Sequence, residues 1–234
     1  MAGSPVCAAA HSREEFAVCG ALASQAESPV VLSFGLHPQA GDLSLAGFLE
    51  ELLAGGRIRA LGEAGFDLFT PEYRALLPLQ IEGWRIQTGL AARYGIPLVI
   101  HCRKALSLIF QDCAPLQKIP ACVFHSFPGS PLEARSLLKR GVNAFFSFGK
   151  PLLNNNRRAI ACAGDLPLER LLAETDAPFQ RLRGEGATAP GDIVPVHEAI
   201  ARIRGIGTEE AAEAILGNFQ RVFLGAPLPE HDQL

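Results

Sequence analysis

Two histidines and two acids stand at the ends of four short apolar runs: Arg59-Ala-Leu-Gly-Glu63, Pro97-Leu-Val-Ile-His101, Ala121-Cys-Val-Phe-His125 and Leu171-Leu-Ala-Glu-Thr-Asp176. Apolar runs of this length suit the buried strands of a parallel sheet, and groups just past the carboxyl ends of barrel strands are where catalytic side chains converge. Two imidazoles and two carboxylates so placed suggest a divalent metal site and, with it, a hydrolase. A catalytic site of this kind needs about three protein ligands and one open position. Glu63, His101 and His125 can supply one such shell. Asp176 serves either as a further ligand or as the base that takes a proton from water. Each residue alone is weak evidence, since a lone buried histidine is more often structural and an acid at a strand end can cap the next helix. Their joint occurrence at four strand ends carries the argument.

The elements that must position these groups alternate in the β-α manner. Strand-like runs lie at Pro5–Ala10, Val30–Gly35, Ile58–Glu63, Ile96–His101, Ala121–His125, Val142–Phe148 and Leu171–Thr175. Between them, helices are expected from Ser12 to about Ala23, over Leu43–Leu53, Tyr73–Tyr94, Pro131–Lys139, Asn154–Ala163 and Val194–Arg204, and from Thr208 to about Leu224. Ser12 with Glu15 has the form of a capping box, and glycines follow most of the helical runs. The fold class is therefore α/β, a TIM-type barrel in one domain over residues 1–226, with 227–234 a frayed tail. A complete barrel of this type has eight strands. Seven are recognisable, so the barrel is expected to be incomplete, with the first strand missing.

Composition narrows the function. The chain has 234 residues, 48% of them hydrophobic, and a formal net charge of −3. That balance supplies no global basic field for nucleic acid, so a polyanion must be gripped locally. The six cysteines are scattered without a C-x-x-C pair, which suits free thiols in a reducing compartment. Neither a signal peptide nor a membrane-spanning run is evident, and a cytoplasmic location without membrane partners is expected.

The motifs resemble those of the TatD family of metal-dependent hydrolases, the TatD-type deoxyribonucleases. The resemblance spans about Val6 to Leu224 and rests on Phe34-Gly-Leu-His-Pro38, Leu61-Gly-Glu-Ala-Gly-Phe-Asp67, Gln80 in the long helix, Pro97-Leu-Val-Ile-His-Cys-Arg-Lys-Ala105, His125-Ser-Phe-Pro-Gly129, Phe146-Ser-Phe-Gly149, Glu174-Thr-Asp-Ala-Pro178 and Asn218-Phe-Gln-Arg-Val-Phe223. It implies a barrel with one or two divalent ions, Glu63 as a bridging carboxylate, His101 and His125 as ligands of one ion, and Asp176 as the last-strand carboxylate beside the other. It further implies exonuclease-like cleavage of DNA, with single strands or ends as substrate, and a place for His37 near the mouth.

One departure matters. The family's first strand ends in His-x-His, and this chain contains no such pair. The expectation is therefore one firmly bound ion, Mg, Mn or Zn, and at most a weakly held second one. Apolar edges left by a missing strand would also favour self-association.

Phosphate contacts fall to Arg103, two residues beyond His101, with Lys104 a lesser candidate, and to Arg181 and Arg183 after Asp176. Lys150 is placed to reach the same rim. Cys102, beside His101, should face the other side of its strand and pack. Phe66 and Phe69 are candidates for stacking on a base, whereas Trp84 reads as core. Two other readings stay open: the same site acting on another ester or an amide, and a non-catalytic incomplete barrel that serves as a binding module or relic.

Overall fold

A computed structural model describes residues 4–225, so the expected tail at 227–234 lies outside the described residues. Among the described residues, seven strands form one all-parallel sheet in sequential order: β1 (Val6–Ala10), β2 (Val30–Phe34), β3 (Ala60–Asp67), β4 (Leu98–Arg103), β5 (Cys122–Phe124), β6 (Ala144–Phe148) and β7 (Leu171–Ala173). Helices connect each strand to the next, giving the curled, TIM-type α/β architecture expected from the alternation of short apolar and amphipathic runs. No described helix is long and apolar enough to cross a membrane.

Side-chain alternation divides the sheet into two faces. Phe34, Leu61, Leu98, Ile100, Phe124 and Phe146 face the helices and join Phe16, Leu49 and Trp84 in the main core. Val31, Ala60, Val99, Val123, Phe145 and Leu172 face inward and pack with Val222 and Phe223 of the C-terminal turn. Continuing the inward parity toward the carboxyl ends leads to His11 from β1, His101 from β4, His125 from β5 and Glu174 and Asp176 from β7.

Strand β3 reaches this face differently. Leu61 pairs with Leu98 while Ala64 pairs with Ile100, so three steps on β3 match two on β4. The extra residue is a β-bulge, which reverses parity. Glu63, Gly65 and Asp67 thereby turn inward, and Ala64 and Phe66 turn to the helices, where both are buried. Gly62 takes φ 138°, and a Cβ there would run into the Val99 carbonyl oxygen. Buried Ser33 of β2 donates to the Gly62 carbonyl oxygen at 2.8 Å, so the bulged peptide is satisfied from the neighbouring strand.

The connecting helices differ from the sequence expectation in instructive ways. The expected helix Tyr73–Tyr94 is two, Pro71–Ala75 and Leu77–Tyr94, because Pro78 has no N–H to donate to the preceding turn and its ring crowds the carbonyl four residues back. The second of these presents two buried glutamines seven residues apart. Gln80 accepts from the Asp67 amide at 3.0 Å and donates to the Asp67 carbonyl at 3.0 Å, while Gln87 does the same for Leu36 at 2.8 and 3.1 Å. One helix thus holds both the end of β3 and the loop after β2.

Elsewhere, Asn156 caps a helix that starts at Arg157 rather than Asn154, and the helix expected from Leu43 begins at Ala46. The last helix runs Thr208–Phe219 before a wider turn over Gln220–Leu224. Short helices at Leu106–Gln111 and Cys113–Leu116 were not anticipated.

The Gly62→Ala substitution should cost about 3 kcal/mol or more, from strained backbone and the clash with Val99 together. Urea unfolding of the two proteins checks this. A loss below about 0.5 kcal/mol would mean the bulge can rearrange.

Candidate metal centre

The inward-facing groups meet at the carboxyl ends of the strands. Glu63 is the hub: its Oε2 lies 3.4 Å from His101 Nδ1, 3.8 Å from His125 Nε2 and 3.4 Å from His37 Nε2. Donor atoms of Glu63, His101 and His125 fall within 4.8 Å of one another, and so do those of His11, His37 and Glu63. The expected strand-end placement holds for His125, one residue past β5. Glu63 and His101 instead lie inside β3 and β4, which run on to Asp67 and Arg103.

Each imidazole of the first group is held from behind by a second carboxylate. Asp67, fully buried, meets His101 Nε2 at 3.1 Å through Oδ2, which also accepts from Gln39 Nε2 at 2.7 Å. Its Oδ1 accepts from the Phe69 amide at 2.8 Å. Glu174 meets His125 Nδ1 at 3.0 Å and accepts from the Ser126 amide at 3.2 Å and from Gln180 Nε2 at 3.1 Å. These contacts leave His101 Nδ1 and His125 Nε2 aimed at Glu63. A ring nitrogen on a carboxylate, with the other nitrogen free toward a shared acid, is the arrangement that orients histidine ligands of a metal. The donor set therefore fits a divalent ion.

Charge in the ion-free cluster is shared between acids and rings. Burial alone would lower the His125 pKa, yet Glu174 and Glu63 outweigh it and hold the ring well above its ordinary value. Burial likewise opposes ionisation of Glu63, but His125, His101 and His37 keep it well below the usual carboxylate range. Asp67 follows the same pattern: burial raises it, and bonds from His101, Gln39 and the Phe69 amide bring it to about 2.

Asp176 goes the other way. Burial, with Glu174 and Glu63 nearby, pushes it up to about 6 against the pull of His125. Its Oδ1 is 4.0 Å from His125 Nε2, and its backbone sits at φ 53°, a conformation that ordinary side chains seldom adopt.

The rim residues divide. Arg103 is exposed and stacks on Phe69, its guanidinium carbon 3.5 Å from the ring centroid, with the Lys104 ammonium 4.9 Å from the same ring. Phe69 is 42% exposed. Arg181 and Arg183 are exposed in the loop after Asp176, where Arg181 donates to the Gly186 carbonyl, and no described contact ties Arg183 to the cluster.

Two expectations fail. Phe66 is no stacking surface: the bulge turns it into the core, 5.3 Å from Trp84. Lys150 does not reach the rim, because it is 2% exposed and its Nζ lies 2.6 Å from Glu185 and 2.7 Å from Asp192. Cys102 and Trp84 are packed as expected. Three groups at the site have no role assigned from the sequence: His11, Asp67 and Glu174. Parity was the available signal, since Cys7, Ala9 and His11 alternate on one face, as Glu174 and Asp176 do.

The TatD related DNase family profile matches residues 3–224. The chain is 30% identical over 223 residues to the uncharacterized metal-dependent hydrolase YjjV of Escherichia coli K12, covering 90% of this chain and 82% of that protein. The crystal structure of YjjV superimposes with a TM-score of 0.83 at 26% identity, covering 96% of this chain and 87% of that one. A 3'-5' ssDNA/RNA exonuclease TatD from Pantoea ananatis is 30% identical over 204 residues, 81% of this chain and 76% of that protein.

Since His125 is held protonated in the ion-free protein, loading an ion near pH 7 should release protons, and affinity should fall as pH falls. Calorimetric titration in two buffers of different ionisation enthalpy reads the release. Equal heats in both buffers would contradict it.

Proposed function

The chain belongs to the TatD family of metal-dependent hydrolases, and from that membership we propose that it hydrolyses phosphodiester bonds of DNA, working inward from an end. In this reading Glu63, His101 and His125 hold a divalent ion, and Asp176 is the base. When bound, such an ion lowers the pKa of water and offsets charge at phosphorus. The observation that carries the reading is the convergence of His101 Nδ1 and His125 Nε2 on Glu63, each ring fixed from behind by Asp67 or Glu174.

The chain's own groups supply the rest. Asp176, raised to about 6 in the ion-free protein, is basic enough to accept a proton from attacking water near neutral pH and lies beside the cluster. Arg103 and Arg183 are exposed cations, and in this reading they grip the phosphate, in keeping with the local hold that an acidic chain requires. Arg103 also covers Phe69, so that a base stacking on the ring and a phosphate on the guanidinium can be held by one pair of side chains. His37, the substrate contact expected at the mouth, lies with Nε2 3.4 Å from Glu63, so in this reading it meets substrate only while that nitrogen holds no ion. DNA as substrate draws support from the family's description and from the Pantoea ananatis exonuclease.

Hydrolysis of end-labelled single-stranded DNA with added Mg²⁺ or Mn²⁺ tests the proposal. Cleavage should vanish in Glu63→Gln and fall about 10²–10⁴-fold in Asp176→Asn, the range expected for loss of a general base. Metal-dependent cleavage that survives in Glu63→Gln would contradict the assignment. A folded, metal-loaded protein that leaves DNA intact would point to another ester or an amide.

A further inference from the structure

The family resemblance implies that a second ion can share the Glu63 carboxylate; we propose that in this chain, which has no His-x-His, His11 and His37 are the ligands that complete that subsite. The inference rests on Glu63, His101 and His125 holding the first ion, as proposed above. In sheet order, His11 and His37 follow β1 and β2 on one side of β3, whereas His101 and His125 come from β4 and β5 on the other. Glu63 stands between the two pairs.

His11 is built in rather than loosely placed. Its backbone amide donates to Glu15 Oε2 at 2.8 Å, and the next residue, Ser12, caps helix Arg13–Gln25. Its ring lies 4.6 Å from the His37 ring. Its Nδ1 is buried and has no hydrogen-bond partner among the described residues. A purely structural histidine in such a place would have both nitrogens satisfied, since an unmet buried polar atom is costly. A cation supplies the missing partner.

The three donor atoms lie within 4.8 Å of one another, close enough for small rotations to close them on one ion. Two imidazoles and a carboxylate suit Zn²⁺ or Mn²⁺. The chain has no His-x-His. In this proposal His11 and His37, from two different strands, bring the two imidazoles that such a pair would bring from one.

His37 supplies a signature. Its Nδ1 accepts from the Gln39 amide at 3.2 Å, which places the ring proton on Nε2, facing Glu63. Ligation through Nε2 moves that proton to Nδ1 and breaks the Gln39 contact. Filling the second subsite must therefore disturb the Gln39 amide, which filling the first alone does not require.

The test is titration of the chelator-stripped full chain with Zn²⁺, read by calorimetry and by metal analysis after gel filtration, with the Gln39 amide followed by ¹⁵N NMR. Wild type should bind two equivalents, the Gln39 resonance moving with one of them. His11→Ala should bind one and leave Gln39 in place. His37→Gln gives the same count should His11→Ala fail to fold. One equivalent in wild type, lost in His125→Ala, would overturn this proposal and leave the first ion standing. Two equivalents in both folded His11→Ala and His37→Gln would also overturn it. No bound Zn²⁺ in wild type would overturn it together with the function proposed above.

Discussion

A single extra residue in β3 decides whether this chain has a site at all. Without the bulge between Leu61 and Ala64, strict alternation from inward-facing Ala60 would send Glu63 and Asp67 into the helix layer and Phe66 into the barrel mouth. With it, the hub carboxylate and the acid that orients His101 lie on the inner face, and Phe66 fills the core against Trp84. Gly62 makes this possible, since its backbone geometry and its contact with Val99 exclude a side chain, and Ser33 satisfies its carbonyl from the adjacent strand.

Around that hub, the cluster is an arrangement of opposite charges under restraint. Glu63, Asp67, Glu174 and Asp176 would repel one another in a confined mouth, and the ion-free protein offsets them with histidine rings that burial alone would leave neutral. Such a cluster favours any cation able to replace the ring protons. The buried glutamines of helix Leu77–Tyr94 keep the strand end and the loop after β2 in register while that exchange occurs. These glutamine hydrogen bonds are between neutral groups, so they do not depend on the protonation of the rings.

Much of this was legible in the sequence because it follows from local rules. Apolar runs broken by amphipathic stretches gave the β-α order, and His125 directly after such a run pointed to the mouth. The bulge was not legible, since a Gly-Glu-Ala-Gly run reads equally well as the end of a strand. Its consequences, Glu63 inside β3, Asp67 inward and Phe66 outward, were hidden with it. Pro78 should have divided the long helix at sight. His11 and Glu174 were within reach of simple alternation, but an isolated histidine before a helix cap and a glutamate beside a more familiar aspartate attract no attention until the strands are set side by side. Lys150 misled because a loop lysine is ordinarily solvated, and only the tertiary fold brings Glu185 and Asp192 onto it.

The central claim is that Glu63, positioned by the β3 bulge, is where a divalent ion binds. Anomalous diffraction from crystals soaked in Mn²⁺ or Zn²⁺ tests it most directly. The account predicts an anomalous peak within coordinating distance of the Glu63 carboxylate, His101 Nδ1 and His125 Nε2. A peak elsewhere, with the three side chains ordered and no metal between them, would contradict it.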